Sequence, residues 1–100
     1  MDIIYEYDGV TASERLESFA KEKLDKLHAK FDDVIRADVF FKDENTSSHE
    51  TGKICNIRLS LPGPRIFAEA SNENFEESVS ESVRELERQL RKRKDKLKTY

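Results

Sequence analysis

The chain has 100 residues, of which 36% are hydrophobic and 39% charged, and its formal net charge is −3. This length predicts one domain with a modest core, too small for a large enclosed active site. No apolar run approaches the roughly 18 residues that a membrane span needs. The first residues, MDIIYEYDG, carry an acid where a signal peptide would carry bases. We therefore expect a cytoplasmic protein that does not bind a membrane.

The first half of the chain predicts a strand, a helix and a second strand. Residues 1–7 alternate in hydrophobicity, and Asp8-Gly9 is a turn pair that ends this strand. Thr11 and Glu14 match a capping box, and apolar residues then recur at helical spacing over about 12–30. The period of two returns over 34–42 and predicts the second strand.

The second half predicts a hairpin and a long helix. The polar stretch 43–51 has no period and is expected to be a flexible connection. Alternation over 54–61 predicts a third strand, and the turn at 62–64 leads into a fourth strand over 66–70. Helical spacing then continues over 74–98, with Asn74 and Glu77 as its start signal.

The order β-α-β-β-β-α predicts an α+β fold in which two amphipathic helices cover one face of a four-stranded sheet. The second helix would run about 37 Å, whereas a strand of this length spans about 25 Å. The end of that helix should therefore overhang the sheet. Phe40 and Phe67 should point outward, on the uncovered face.

The charge distribution is strongly asymmetric. Residues 88–98, RQLRKRKDKLK, hold seven bases and one acid, while the rest of the chain is acidic. Favourable contact with the helix dipole accounts for two or three bases at a helix end but not for seven. We therefore predict an acidic body with a basic arm that binds a polyanion. The predicted binding residues in this arm are Arg88, Arg91, Lys92, Arg93, Lys94, Lys96 and Lys98.

The first helix adds a second basic set. Lys23, Lys26 and Lys30 are three and four residues apart, so they lie on one face of the helix. If both helices cover the same side of the sheet, these lysines and the basic arm form one cationic surface.

The sequence contains no recognisable catalytic or metal-binding motif. Cys55 lies in an apolar alternation typical of a core residue, and His28 and His49 have no Cys or His at ligand spacing. With three glycines and no Gly-rich phosphate loop, the chain predicts neither an enzyme nor a cofactor.

Three features together resemble the short ribosome hibernation promoting factor family, which includes ribosome-associated inhibitor A (protein Y). They are the run LERQLRKRKDKLK from Leu86, the segment AKEKLDKLHAKFDDV from Ala20, and the β-α-β-β-β-α order. The similarity extends over essentially the full chain, so residues 1–100 are interpreted as a single ribosome-binding domain with a basic helical extension at about 88–100.

The resemblance implies a fold like the double-stranded RNA-binding domain. It also implies a function: binding to 16S rRNA in the decoding region of the small ribosomal subunit, across the mRNA and tRNA positions, which inhibits translation in stationary phase or stress. The family's rRNA contacts fall here on Lys23, Lys26, Arg88, Lys92, Arg93 and Lys94, with Lys96 and Lys98 added. Off the ribosome a monomer is expected, and pairing of ribosomes would need another protein such as a ribosome modulation factor.

The chain departs from the family pattern at two positions. Glu85 replaces a lysine of close relatives, and Glu17 replaces an arginine, so no contact is predicted at either. Two other functions also fit the residues: a general double-stranded RNA-binding module, and a protein-interaction module whose basic helix binds an acidic partner.

Overall fold

The computed structural model describes residues 1–44, 49–63 and 65–98, with side chains up to residue 94. The predicted element order is confirmed. The elements are β1 (Asp2–Asp8), α1 (Glu14–Lys30), β2 (Arg36–Asp43), β3 (Lys53–Ser60), β4 (Ile66–Asn72) and α2 (Phe75–Lys98). The tip of the predicted connection 43–51 and Pro64 of the predicted turn lie outside the described residues.

The four strands form one mixed sheet in the order β1-β2-β3-β4. β1 pairs with β2 in parallel, and the other two pairs are antiparallel. One row across the sheet joins Glu6, Phe40, Asn56 and Glu69. Gly63 in the β3–β4 connection has a φ of 105°, a backbone conformation that favours glycine.

The two faces of the sheet differ because side chains alternate along each strand. One face is buried under the helices and forms the core with them, and the other is open. From β2, β3 and β4 the core receives Ala37, Val39, Phe41, Cys55, Ile57, Leu59 and Ala68. From the helices it receives Leu16, Ala20, Leu24, Leu27, Val79, Leu86 and Leu90. Phe40 is half-buried and Phe67 exposed on the open face, which confirms their predicted outward direction.

The helix starts agree with the sequence in one case and differ in the other. The predicted cap at Thr11 is wrong, because Ser13 is the N-cap and its Oγ accepts a hydrogen bond from the Leu16 N–H at 3.2 Å. For α2 the prediction is confirmed, since Asn74 Oδ1 accepts a hydrogen bond from the Glu77 N–H at 2.8 Å.

The two helices lie side by side on the covered face and run in roughly the same direction. Arg15 pairs with Glu76 at 3.0 Å near their N-terminal ends, and Lys30 pairs with Glu87 at 3.0 Å near the end of α1. These two ion pairs confirm that the outer surfaces of the helices adjoin.

Two buried serines fasten α2 to β3. Ser78 Oγ donates to the Lys53 carbonyl, and Ser82 Oγ donates to the Cys55 carbonyl at 3.0 Å. Because these hydroxyls have carbonyl acceptors, they can lie in the core without the cost of an unpaired polar group. Burial raises the pKa of the Cys55 thiol to about 12, which agrees with its interpretation as a core residue.

Candidate nucleic-acid interface on the two helices

The predicted lysines of α1 lie along its α2 side. Lys30 reaches Glu87 of α2, and Lys26 and Lys23 lie one and two turns earlier on the same side. Lys23 is half-buried, with its Nζ 5.5 Å from the centre of the Phe19 ring. Lys26 is exposed and pairs with Glu22 at 3.4 Å. The three lysines therefore border the groove between the helices.

On α2, the outward side carries a row of arginines. At about 100° per residue, Arg84, Arg88 and Arg91 lie opposite the buried Leu86. All three are exposed. Arg91 pairs with Glu87 at 2.9 Å, and Glu87 also holds Lys30, so Lys30 and Arg91 meet across one carboxylate.

Arg84 was not among the predicted binding residues. Its side chain has no hydrogen-bond or ion-pair partner in the part of the chain that the structure describes. The signal that could have found it is its spacing, since it lies four residues before Arg88 and seven before Arg91.

Arg93 differs from the other bases of the arm. It follows Leu86 by seven residues and therefore lies on the buried side of α2, just beyond Leu90. Its guanidinium pairs with Asp33 at 2.8 Å and donates to the Pro62 carbonyl at 3.2 Å. Arg93 thus ties the helix to the α1–β2 and β3–β4 connections, and this part of the arm lies against the body.

The remaining bases divide into described and undescribed ones. Lys92 is exposed, and Lys94 Nζ lies 5.9 Å from the centre of the Phe31 ring. The side chains of Lys96 and Lys98 lie outside the described part, although the backbone of α2 is helical to Lys98. The cationic side chains that adjoin on the outer side of the helices are named the helix surface: Lys23, Lys26, Lys30, Arg84, Arg88, Arg91, Lys92 and Lys94.

Three acids interrupt the helix surface. Glu22 and Glu87 pair with bases as described, and Glu85 forms a two-pronged ion pair with Arg88, with contacts of 2.7 and 2.9 Å. The Arg88 hydrogen bonds lower the pKa of Glu85, and the same contacts raise the pKa of Arg88. Such exposed pairs contribute about 0 to 1 kcal/mol each, so a phosphate can compete with them.

Glu17 faces away from the helix surface. Its carboxylate accepts a hydrogen bond from the Tyr7 hydroxyl at 2.5 Å, and its carbonyl accepts one from the Tyr5 hydroxyl at 3.0 Å. Burial, followed by the bond to Glu17, raises the pKa of Tyr7 to about 12. Glu17 thus fastens α1 to β1, in agreement with the expectation that it makes no RNA contact.

Other kinds of site are not found in the described part of the chain. Among those residues no group of three or more His, Cys, Asp or Glu side chains could hold a metal ion. Within the same ranges, no helix has the length and apolar character needed to span a membrane.

Comparison with known proteins agrees with this geometry. Residues 3–98 match the family model described as sigma 54 modulation protein / S30EA ribosomal protein. The chain belongs to this family. The finding confirms the resemblance to the ribosome hibernation and protein Y group, a family of ribosome-associated proteins that is not known as an enzyme family.

Two solved structures share the fold. A ribosomal subunit interface protein from Coxiella burnetii is 26% identical, with a TM-score of 0.81 over 95% of this chain and 99% of the other. The N-terminal domain of Thermus thermophilus Protein Y is 18% identical, with a TM-score of 0.75 over 92% and 98%. No curated protein matches significantly.

Proposed function

We propose that this protein binds the small ribosomal subunit through its helix surface, in the decoding region where mRNA and tRNA bind, and so inhibits translation in stationary phase or stress. The observation that carries the proposal is the merging of two basic sets into one surface, with Lys30 and Arg91 on either side of Glu87. Family membership and the likeness to a ribosomal subunit interface protein identify the polyanion as ribosomal RNA.

The mechanism requires no chemical reaction on a substrate. Lysines and arginines that neutralise phosphates release condensed counterions, which makes binding strongly dependent on salt, with a log-log slope of roughly −0.7 to −0.9 per phosphate contact. The bound protein then occupies space that tRNA and mRNA require. Inhibition is competitive exclusion.

The acids within the helix surface affect selectivity. Lys26, Lys30, Arg88 and Arg91 are each paired with a carboxylate in the free protein. A phosphate must displace these carboxylates, so an isolated phosphate gains little. Several phosphates placed in the matching arrangement act together, which favours a folded RNA surface over bulk RNA. Away from the ribosome the protein acts as a monomer, and pairing of inactive ribosomes is the task of a separate factor of the ribosome modulation type.

The test is co-sedimentation with purified small subunits over a range of salt concentrations. The variant Arg88→Gln/Arg91→Gln/Lys92→Gln should bind at least about tenfold more weakly and show a shallower salt dependence, because it loses three phosphate contacts. Adding tRNA and mRNA should displace the wild-type protein.

The matched control removes the same charge elsewhere. The variant Arg36→Gln/Lys42→Gln/Arg65→Gln changes three exposed bases away from the helices and should bind within about twofold of wild type. Equal loss in both triple variants would reduce the effect to net charge and contradict the site. Tighter binding to a short RNA duplex than to small subunits would instead indicate a general duplex-binding module.

A further inference from the structure

The open face of the sheet carries exposed apolar side chains. Phe67 is 63% exposed and Ile4 is 37% exposed. Their strands bring them into one row, Ile4, Asp38, Arg58 and Phe67, beside the row that contains Phe40. Clustered aromatic and aliphatic groups exposed on one face are typical of an interaction surface.

The neighbouring row consists of groups that accept a cation. It contains the carboxylates of Glu6 and Glu69, the side-chain amide of Asn56 and the ring of Phe40. Neither carboxylate has a hydrogen-bond or ion-pair partner within the described ranges. Together with adjacent residues these four side chains line an open cavity of about 340 Å³. The row itself contains no base.

Two further contacts show what the row lacks and what it tolerates. Asn56 Oδ1 is buried and accepts no hydrogen bond from the described residues, and such an unpaired acceptor is costly. The Phe40 ring already has the Arg58 guanidinium 5.3 Å from its centre, so its surroundings accommodate a cation. A donor with positive charge would satisfy both features.

We propose that this open face binds an extended basic segment of a partner protein. Glu6 and Glu69 are three strand spacings apart, or roughly 14 Å, which in an extended chain is about four residues. Residues i and i+4 of such a segment point to the same side, so two arginines or lysines at that spacing reach both carboxylates. The segment crosses the strands above Phe40 and Asn56, and Phe67 packs against its apolar atoms.

The charges favour a protein segment over single-stranded RNA. Aromatic side chains on an open sheet can stack bases, but phosphates need bases beside the rings. Here the nearest free charges to Phe40 within its row are carboxylates, which repel phosphate. The helix surface lies on the other side of the sheet, so the basic segment could bind while the helices contact RNA.

The test titrates the isotope-labelled protein with the acetylated and amidated peptide SRSTSRS and follows backbone amide resonances. Saturable shifts are expected at Phe40, Asn56 and Glu69. The variant Glu6→Gln/Glu69→Gln should bind about fivefold more weakly, because it loses two exposed charge pairs. The peptide SQSTSQS should cause no shifts.

A matched control removes two other exposed carboxylates. The variant Glu73→Gln/Glu77→Gln has the same net charge and should bind the peptide like wild type. Equal weakening in both double variants, no shifts at the three amides, or shifts there with oligouridylate instead of the peptide would each overturn the proposal. Ribosome binding is measured separately, and it should be unchanged in the Glu6→Gln/Glu69→Gln variant.

Discussion

The two faces of the sheet are built by the same strands but perform different tasks. On the covered face, Val39, Phe41 and Ile57 are fully buried under the helices. On the open face, Phe40 and Phe67 alternate with charged side chains and contact solvent. The period of two thus places stability on one side and an available recognition surface on the other.

The charges are divided in a similar way. The helices present lysines and arginines outward, whereas the middle row of the open face presents Glu6 and Glu69. A protein of net charge −3 can therefore offer a cationic surface to RNA because its acids are concentrated elsewhere. Net charge alone would have hidden both surfaces.

The largest expected effect tests the difference in stability between the two faces. Leu86→Ala removes a fully buried side chain between α2 and the sheet and should lower the free energy of unfolding by about 2 to 5 kcal/mol. Phe67→Ala, on the open face, should change it by less than about 0.5 kcal/mol. Urea denaturation measures both. A comparable loss in the two variants would show that the open face is part of the core.

A smaller effect is expected where α2 is fastened to β3. Ser82 Oγ is buried and donates to the Cys55 carbonyl. Ser82→Ala should lower the free energy of unfolding by about 1 kcal/mol, the usual net value of such a hydrogen bond. Ser80→Ala, on the half-buried side of the same helix, is the control, and denaturation of both should give a clear difference. Equal stability of the two variants would contradict the role of this bond.

Much of the fold could be predicted from the sequence because its signals are local. Alternation identified all four strands, and helical spacing identified both helices. The cap of α1 was misplaced because Thr11 and Ser13 are both good capping residues, and the choice between them depends on how the chain leaves β1.

The site was predictable only in part for the same reason. Lys23, Lys26 and Lys30 share a face by spacing alone, but their approach to Arg91 depends on how the helices pack. The tie of Arg93 could not be predicted, because Asp33 and the Pro62 carbonyl come from distant connections. Contact of the predicted bases with rRNA stays a prediction.

Arg93 allows a sharper test of how the basic arm is held. We expect it to position α2 rather than to contact phosphate, because Asp33 and Pro62 occupy its guanidinium. Asp33→Asn should then weaken small-subunit binding about two- to threefold through a less ordered helix end, although the variant removes an acid. Asp32→Asn is the control for the charge change. If Asp33→Asn strengthens binding instead, Arg93 is free to bind RNA and acts as a direct contact.

The smallest expected effect concerns the polar edge of the covered face, where Tyr7 meets Glu17. The pKa of Tyr7 is raised from 10.0 to about 12 by burial and the hydrogen bond to Glu17, so the fold favours the neutral phenol. This stabilisation is fully present below pH 10 and is lost as the pH rises toward 12, because the unfolded chain releases the proton first. Tyr7→Phe should be less stable than wild type near neutral pH but lose less stability between pH 10 and 12, so the two denaturation curves converge. Parallel curves over that range would mean that Tyr7 titrates alike in the folded and unfolded chain, and the strand β1 would then be less firmly joined to α1 than the Tyr7–Glu17 contact indicates.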